Sequence, residues 1–299
     1  ESLRRVEIIT GKKIDFIHAD VRDVAALRKI FSHYSIDGVI HFAGLKSIGE
    51  SIKFPLKYYD NNVSGSTALV QVMAEFDVHA LVFSSTAAVY GEGSASPVQE
   101  SSPLAATNPY GQTKLMIEQI YTDLAISNNS WGIAILRYFN PVGAHASGQI
   151  GEHSNDEFSN LMPNICRVAM RGIEQLEVYG NDYPTIDGTG VRDYIHVMDL
   201  AEGHVRALAW LKNNTGAHVF NLGAGHGFSV LEIVKTFEGV SGVSIPYKIS
   251  PKRLGDLAVI YADTSKAEKE LDWKAELGVQ TMCKDAWNWQ KQNPQGYVD

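Results

Sequence analysis

Along the first half of the chain, apolar positions fall into short β-branched runs separated by longer amphipathic stretches. Residues 14–18 (Ile-Asp-Phe-Ile-His) and 38–43 (Gly-Val-Ile-His-Phe-Ala) predict strands, as do 80–85 and 133–137. Between them, helical spacing of apolar positions predicts helices over 24–34, 55–76 and 109–126. This alternation, with strands apolar at consecutive positions, predicts a parallel sheet covered by helices on both faces. Ligands in such sheets bind beyond the carboxyl ends of the strands. The predicted strands end in small or polar residues: Asp20-Val21, Phe42-Ala43-Gly44, Ser84-Ser85-Thr86 and Tyr138-Phe139-Asn140-Pro141.

After about Pro141 the pattern changes. Residues 143–155 are rich in Gly, His and Ser without periodicity, which predicts a loop over the crevice. Helices are expected over 160–171, from Asp199 to about Leu211, and over 230–237, 265–271 and 281–290. Strands are expected at 176–179, 217–221 and 245–249. The expected division is a first lobe over 1–141 and a smaller α/β lobe over 142–299. Glu-Ser-Leu-Arg-Arg-Val at the start reads as the end of a helix. Gly223-Ala-Gly225-His-Gly227 superficially resembles a dinucleotide loop, but its spacing is not G-x-G-x-x-G and no acid follows about twenty residues on. It is expected to be a tight turn in the second lobe.

A length of 299 residues suits two lobes, and 44% hydrophobic with 20% charged residues is ordinary globular composition. A net charge of -8, with no Lys/Arg cluster, argues against a nucleic-acid partner. Cys166 and Cys283 lack ligand spacing, so no metal is assigned and a reducing cytoplasm is expected. No apolar run reaches the roughly 18 residues that span a membrane, and the start does not read as a signal peptide.

The candidate chemistry lies between residues 80 and 114. Asn108 and Pro109 predict a helix cap and first turn, which places Tyr110 and Lys114 four apart on one helical face. A cation beside a phenol favours the phenolate, so the lysine is expected to lower the tyrosine pKa. That would suit Tyr110 to acid–base work. Thr86, at a strand end, could offer its hydroxyl to the same reacting oxygen. By spacing alone the pair more often marks a solvated helix face.

With its context, the motif set resembles the extended short-chain dehydrogenase/reductase family and, within it, the UDP-glucose 4-epimerases. The resemblance runs along essentially the whole chain. It rests on His41-Phe-Ala-Gly-Leu-Lys46, Tyr58-Tyr-Asp-Asn-Asn62, Asn108-Pro-Tyr-Gly-Gln-Thr-Lys114 and Leu136-Arg-Tyr-Phe-Asn-Pro-Val-Gly-Ala144. Residues 180–200 and Pro294-Gln-Gly-Tyr297 complete it. It implies a Rossmann-type doubly wound sheet with a smaller substrate lobe, and NAD as cofactor. The implied cofactor contacts are Asp20, Val21, Phe42, Ala43, Gly44, Lys46, Asn61, Ser84, Tyr110, Lys114, Tyr138 and Phe139. The implied UDP-hexose contacts are Lys46, Thr86, Tyr110, Asn140, Asn160, Leu161, Tyr179, Arg192, Tyr194, Arg253 and Asp256. Guanidinium forks such as Arg192 and Arg253 suit phosphate oxygens.

The implied reaction interconverts UDP-galactose and UDP-glucose through a 4-keto sugar and transient NADH, with Tyr110 as acid/base, assisted by Lys114 and Thr86. A homodimer is also implied, paired through the helices expected over 55–76 and 109–126. The family's glycine-rich turn falls upstream of Glu1, so the resemblance also implies an N-terminally incomplete sequence. Residues 257–260 are expected to form a wall whose bulk decides whether N-acetylated sugars fit. A 4,6-dehydratase would need an Asp-Glu pair where Ala87-Ala88 follow Thr86. A UDP-uronate epimerase would need an extra cation. A non-catalytic UDP-sugar-binding fragment is the reading from another class.

Overall fold

Four parallel strands make the frame: Val39–His41, Ala80–Ser84, Gly132–Tyr138 and Gly216–Leu222, hydrogen-bonded in that order. The structure is a computed structural model and describes residues 1–91, 95–153, 160–253 and 256–297. Successive side chains of a strand point to opposite faces, so each strand feeds two cores. Leu81, Phe83, Ile133 and Ile135 pack beneath helices Val24–His33, Gly65–Glu75 and Pro109–Ser127. Their neighbours Val82, Ala134 and Leu136, with Phe220 and Leu222, pack under Val197–Trp210 and Ser265–Leu271. Both faces are covered, as the continuous apolar runs require.

A third core gathers around helices Leu161–Ala169, Val230–Ser241 and Val279–Gln292. Parallel strands Leu176–Tyr179 and Tyr247–Ser250 close one side of it. Short ladders join Asn140–Val142 to Tyr194–His196, and Val191–Arg192 to both Val259–Ile260 and Phe228–Ser229. Among the described residues no helix is long and apolar enough to cross a membrane.

Four differences from the sequence-based expectations have physical reasons. Residues 14–18 are not a strand. No described strand offers them a ladder, and Ile14, Phe16 and Ile17 stay exposed. The helix expected over 55–76 is three pieces, Pro55–Tyr58, a π-turn Tyr59–Ser64 and Gly65–Glu75. The side chain of Asn62 in that π-turn acts as a substitute strand: its Oδ1 accepts from Leu45 N at 2.7 Å and its Nδ2 donates to Leu45 O at 3.0 Å. Helix Ile48–Lys53 was unanticipated, although Ser47-Ile-Gly-Glu50 carries the S-x-x-E start signal and Ser47 does cap it. Finally, Gly216–Leu222 belongs to the first sheet, so both halves of the chain build that sheet, and the glycine turn that follows lies at its edge. The last residues of the loop expected over 143–155, Ser154 and Asn155, lie outside the described residues.

Candidate active site

The strand Ala80–Ser84 ends against the first turns of helix Pro109–Ser127. Asn108 caps that helix, its Oδ1 accepting from Gly111 N at 2.9 Å, and Pro109 stands in the first turn. The cap fixes where the helix begins, and hence where Tyr110 and Lys114 fall on its buried face. Thr86 caps the short 3₁₀ turn Ala87–Val89, which turns the chain away from the strand end.

Burial pushes the Tyr110 phenol pKa up, with Tyr138 adding to the rise and a side-chain hydrogen bond with Thr86 opposing it. This corrects the expectation that Lys114 lowers it. The Lys114 ammonium donates to Ser84 O at 2.7 Å and lies 4.7 Å from the Phe83 ring centroid. Burial depresses Lys114 itself to about 8, partly offset by Glu118 one helical turn further on. The lysine is thus a desolvated cation within reach of neutral pH, and the phenol holds its proton.

The cofactor candidates spread along the strand ends. Gly44 stands close under Asn62 and Lys114: a Cβ there would lie 3.4 Å from Asn62 Oδ1 and 3.6 Å from Lys114 Nζ. That leaves bare backbone beside a buried cation, the kind of surface a dinucleotide can approach closely. Phe42 exposes its ring at the same edge. Asn61 donates to Asn62 Oδ1 at 3.0 Å. Asp20 accepts from Arg22 N at 2.9 Å and from the Arg22 guanidinium, which also pairs with Asp60. Val21 packs on the helix beyond, where a Cβ on Gly65 would come within 2.5 Å of its Cγ1. Ser84 donates to His204 Nε2 at 2.8 Å, because His204 Nδ1 faces the Leu200 carbonyl and must carry the ring proton. Burial raises the Tyr138 phenol pKa. The Phe139 ring instead packs with Val89, Tyr90, Val98 and Ala262. These residues fit a dinucleotide; Phe139 could reach it only through its backbone.

The substrate candidates converge more completely. A cavity of about 730 Å³ is lined by Asn140, Asn160, Leu161, Tyr179, Arg192, Tyr194, Arg253 and Asp256 together. Lys46, Thr86 and Tyr110 are not on its wall. Arg192 donates to Leu257 O at 2.7 Å and Val191 O at 2.9 Å, and reaches Asp256 at 3.4 Å. Arg253 lies 3.8 Å from the Tyr179 ring centroid. Lys46 and Asn160, from opposite halves of the chain, meet at Glu152, 3.9 and 3.1 Å away. Val259–Ile260 pairs with Arg192 and is half-buried. Two guanidinium groups over apolar and aromatic walls make a receptor for a polyanion carrying a flat ring.

Several contributors escaped sequence reasoning. Asn62 looked like part of an ordinary helix. Tyr183 lines the cavity, and its buried hydroxyl has no hydrogen-bond partner among the described residues. Glu118 had a usable signal, its position four after Lys114. The glycine turn at 223–227 is no anion site for a ligand: Ala224 N and Gly225 N donate to the carboxylate of Asp193 at 2.7 and 3.2 Å, and Ala262 N donates at 3.0 Å.

A buried Tyr–Lys–Thr cluster at the strand ends of a parallel sheet, together with a cationic cavity, fits an enzyme that uses a dinucleotide on a polyanionic substrate. Sequence comparison agrees: residues 2–223 match the NAD dependent epimerase/dehydratase family, and the chain belongs to it. Its relatives narrow this further. It is 55% identical over 297 residues to UDP-glucose 4-epimerase of Bacillus subtilis, covering 99% of this chain and 88% of that protein. The enzyme of the same name from Drosophila melanogaster is 51% identical over 302 residues, covering 100% and 86%. UDP-glucose 4-epimerase from Bifidobacterium longum, solved with NAD+ and UDP, superposes with a TM-score of 0.95 at 50% identity, covering 99% of this chain and 88% of that one.

Proposed function

We propose that this chain is an NAD-dependent isomerase that interconverts UDP-galactose and UDP-glucose at C4. The observation that carries the reading is the cavity: residues 113 positions apart in sequence, from Asn140 to Arg253, line one wall with two guanidinium groups. UDP would be held there by Arg192 and Arg253 on its phosphates, with Asn140, Asn160, Leu161, Tyr179, Tyr194 and Asp256 around it. Asp20, Val21, Phe42, Ala43, Gly44, Lys46, Asn61, Ser84 and Tyr138 would hold the cofactor. NAD, when bound, supplies a cationic two-electron acceptor for the sugar carbon, and its positive charge favours loss of a proton from a nearby phenol.

The chain's own residues do the rest. Tyr110 takes the proton of the sugar 4-hydroxyl and returns it after the sugar has turned over. Thr86 holds the same oxygen, and Lys114 supplies positive charge on the helix face below. A tight hold on UDP with a loose hold on the hexose lets the sugar present either face. Residues 1–141 would serve the cofactor and 142–299 the substrate, with strand Gly216–Leu222 lent back to the first sheet.

Pairing with a second copy is supported by the exposed apolar side chains Ile52, Phe54 and Leu56 on the short helices beside Pro109–Ser127. Light scattering at micromolar concentration should report a dimer; a monomer refutes it. A cytoplasmic site of action is supported by two buried free cysteines, Cys166 and Cys283. For the reaction itself, proton NMR of a UDP-galactose solution with the protein should show the UDP-glucose anomeric signal growing to a fixed ratio. No new anomeric signal, with NAD supplied, refutes the proposal.

A further inference from the structure

Three consecutive residues at the end of strand Ala80–Ser84 are tied to three successive turns of one helix face. Ser84 takes the Lys114 ammonium on its carbonyl at 2.7 Å. The Thr86 hydroxyl faces the Tyr110 phenol and opposes the rise in its pKa. Between them, Ser85 donates to Glu118 Oε1. Tyr110, Lys114 and Glu118 stand at i, i+4 and i+8, so the helix presents them as a column.

Glu118 is 4% exposed, and a lone carboxylate so placed would be costly. Arg137, 3% exposed, neutralises it from the next strand, with Nη2 2.6 Å from Oε2 and Nε 3.1 Å from both oxygens. Arg137 is itself held by Glu100 O at 3.0 Å and Tyr90 OH at 3.2 Å, and Tyr90 donates to Asn221 Oδ1 at 2.6 Å. The carboxylate therefore has a fixed position, set by a satisfied buried network spanning two strands.

We propose that Ser85 and Glu118 are positioning residues for the reaction, a tie at the far end of the column that sets the strand end against the helix so that Thr86 and Tyr110 meet one sugar oxygen above Lys114. Neither reaches the reacting atoms. Their effect passes through the backbone of Ser84 and Thr86, on either side of the Ser85–Glu118 bond. This rests on the proposed 4-epimerase activity.

Two variants separate positioning from plain stability. Ser85→Ala removes the tie but leaves the Glu118–Arg137 pair intact. Glu118→Gln keeps an acceptor oxygen for Ser85 but leaves Arg137 without its anion, so it should cost more stability. Positioning predicts that Ser85→Ala lowers kcat by about tenfold or more with UDP affinity within about twofold of the parent, because small misplacements of reacting groups are expensive. It also predicts opposite rankings: Ser85→Ala melts higher than Glu118→Gln, yet turns over more slowly.

A kcat for Ser85→Ala within about twofold of the parent overturns the proposal, as does one ranking shared by melting temperature and turnover. The parent is run alongside. If it fails to convert UDP-galactose, the proposed function falls and the positioning role with it; if it converts and the variants are indifferent, only the positioning role falls.

Discussion

Tyr110→Phe removes a single oxygen from a side chain that is 8% exposed. The ring keeps its packing, so the stability change has two opposing parts. Losing the polar contact with Thr86 costs at most about 0.5–1.5 kcal/mol, while a hydroxyl no longer has to be desolvated, leaving a net change of about 1 kcal/mol or less. In a chain of this size that is a shift of at most about 2–4 °C. Turnover should respond very differently. Without a group to exchange the sugar's 4-hydroxyl proton, the general acid–base contribution of about 10²–10⁴-fold is lost, or about 2.7–5.4 kcal/mol at 1.36 kcal/mol per factor of ten. UDP binding should hold within about twofold, because Tyr110 is not on the cavity wall. The assay pairs initial rates of UDP-galactose conversion with calorimetric titration of UDP. A parallel fall in both, or a rate loss under about tenfold, would make Tyr110 a structural residue and refute the argument.

Gly223→Ala would place a Cβ 2.4 Å from Asp193 Oδ2 and 2.9 Å from Ala262 Cβ, so overpacking should cost about 1–3 kcal/mol in urea unfolding. An unchanged midpoint would mean that the Asp193 cradle is not rigid. Asn62→Ala strips Leu45 N and O of their side-chain partners, and loosening of residues 43–45 should weaken NAD retention more than UDP binding; equal loss of the two refutes that role. Acid should destabilise the fold before the carboxylates titrate. Burial, helped by Lys114, lowers His41 to about 3, and burial also lowers His196 and His204. The unfolded chain therefore binds protons that the folded chain refuses. Stability present above about pH 6.5 is lost as pH falls toward the depressed folded values. Urea midpoints should drop between pH 7 and pH 5, and a flat profile there would contradict neutral buried imidazoles.

What the chain revealed in advance was local and periodic. The helix carrying Tyr110 and Lys114 could be read from Asn108, Pro109 and the apolar spacing, because capping and burial act within one element. The UDP candidates were carried by motif resemblance, and the fold brings Asn140, Arg192 and Arg253 to one cavity. Interactions between distant segments were not legible. Within the π-turn Asn62 holds both backbone groups of Leu45, a contact 17 residues apart that leaves no periodic trace. Residues 14–18 have the composition of a strand, but a strand needs a neighbour, and none of the described residues supplies one. For the tyrosine pKa, spacing reports which residues share a face, not which group the lysine chooses. The amine goes to the Ser84 carbonyl, and burial then governs the phenol.

The central claim is that one site oxidises and re-reduces the same sugar carbon without exchanging its hydrogen with water. The direct test is conversion of UDP-galactose carrying deuterium at C4, followed by mass spectrometry and NMR of the product. The account predicts UDP-glucose with the deuterium retained at C4. UDP-glucose with the label lost to solvent, or no UDP-glucose with NAD present, would contradict it.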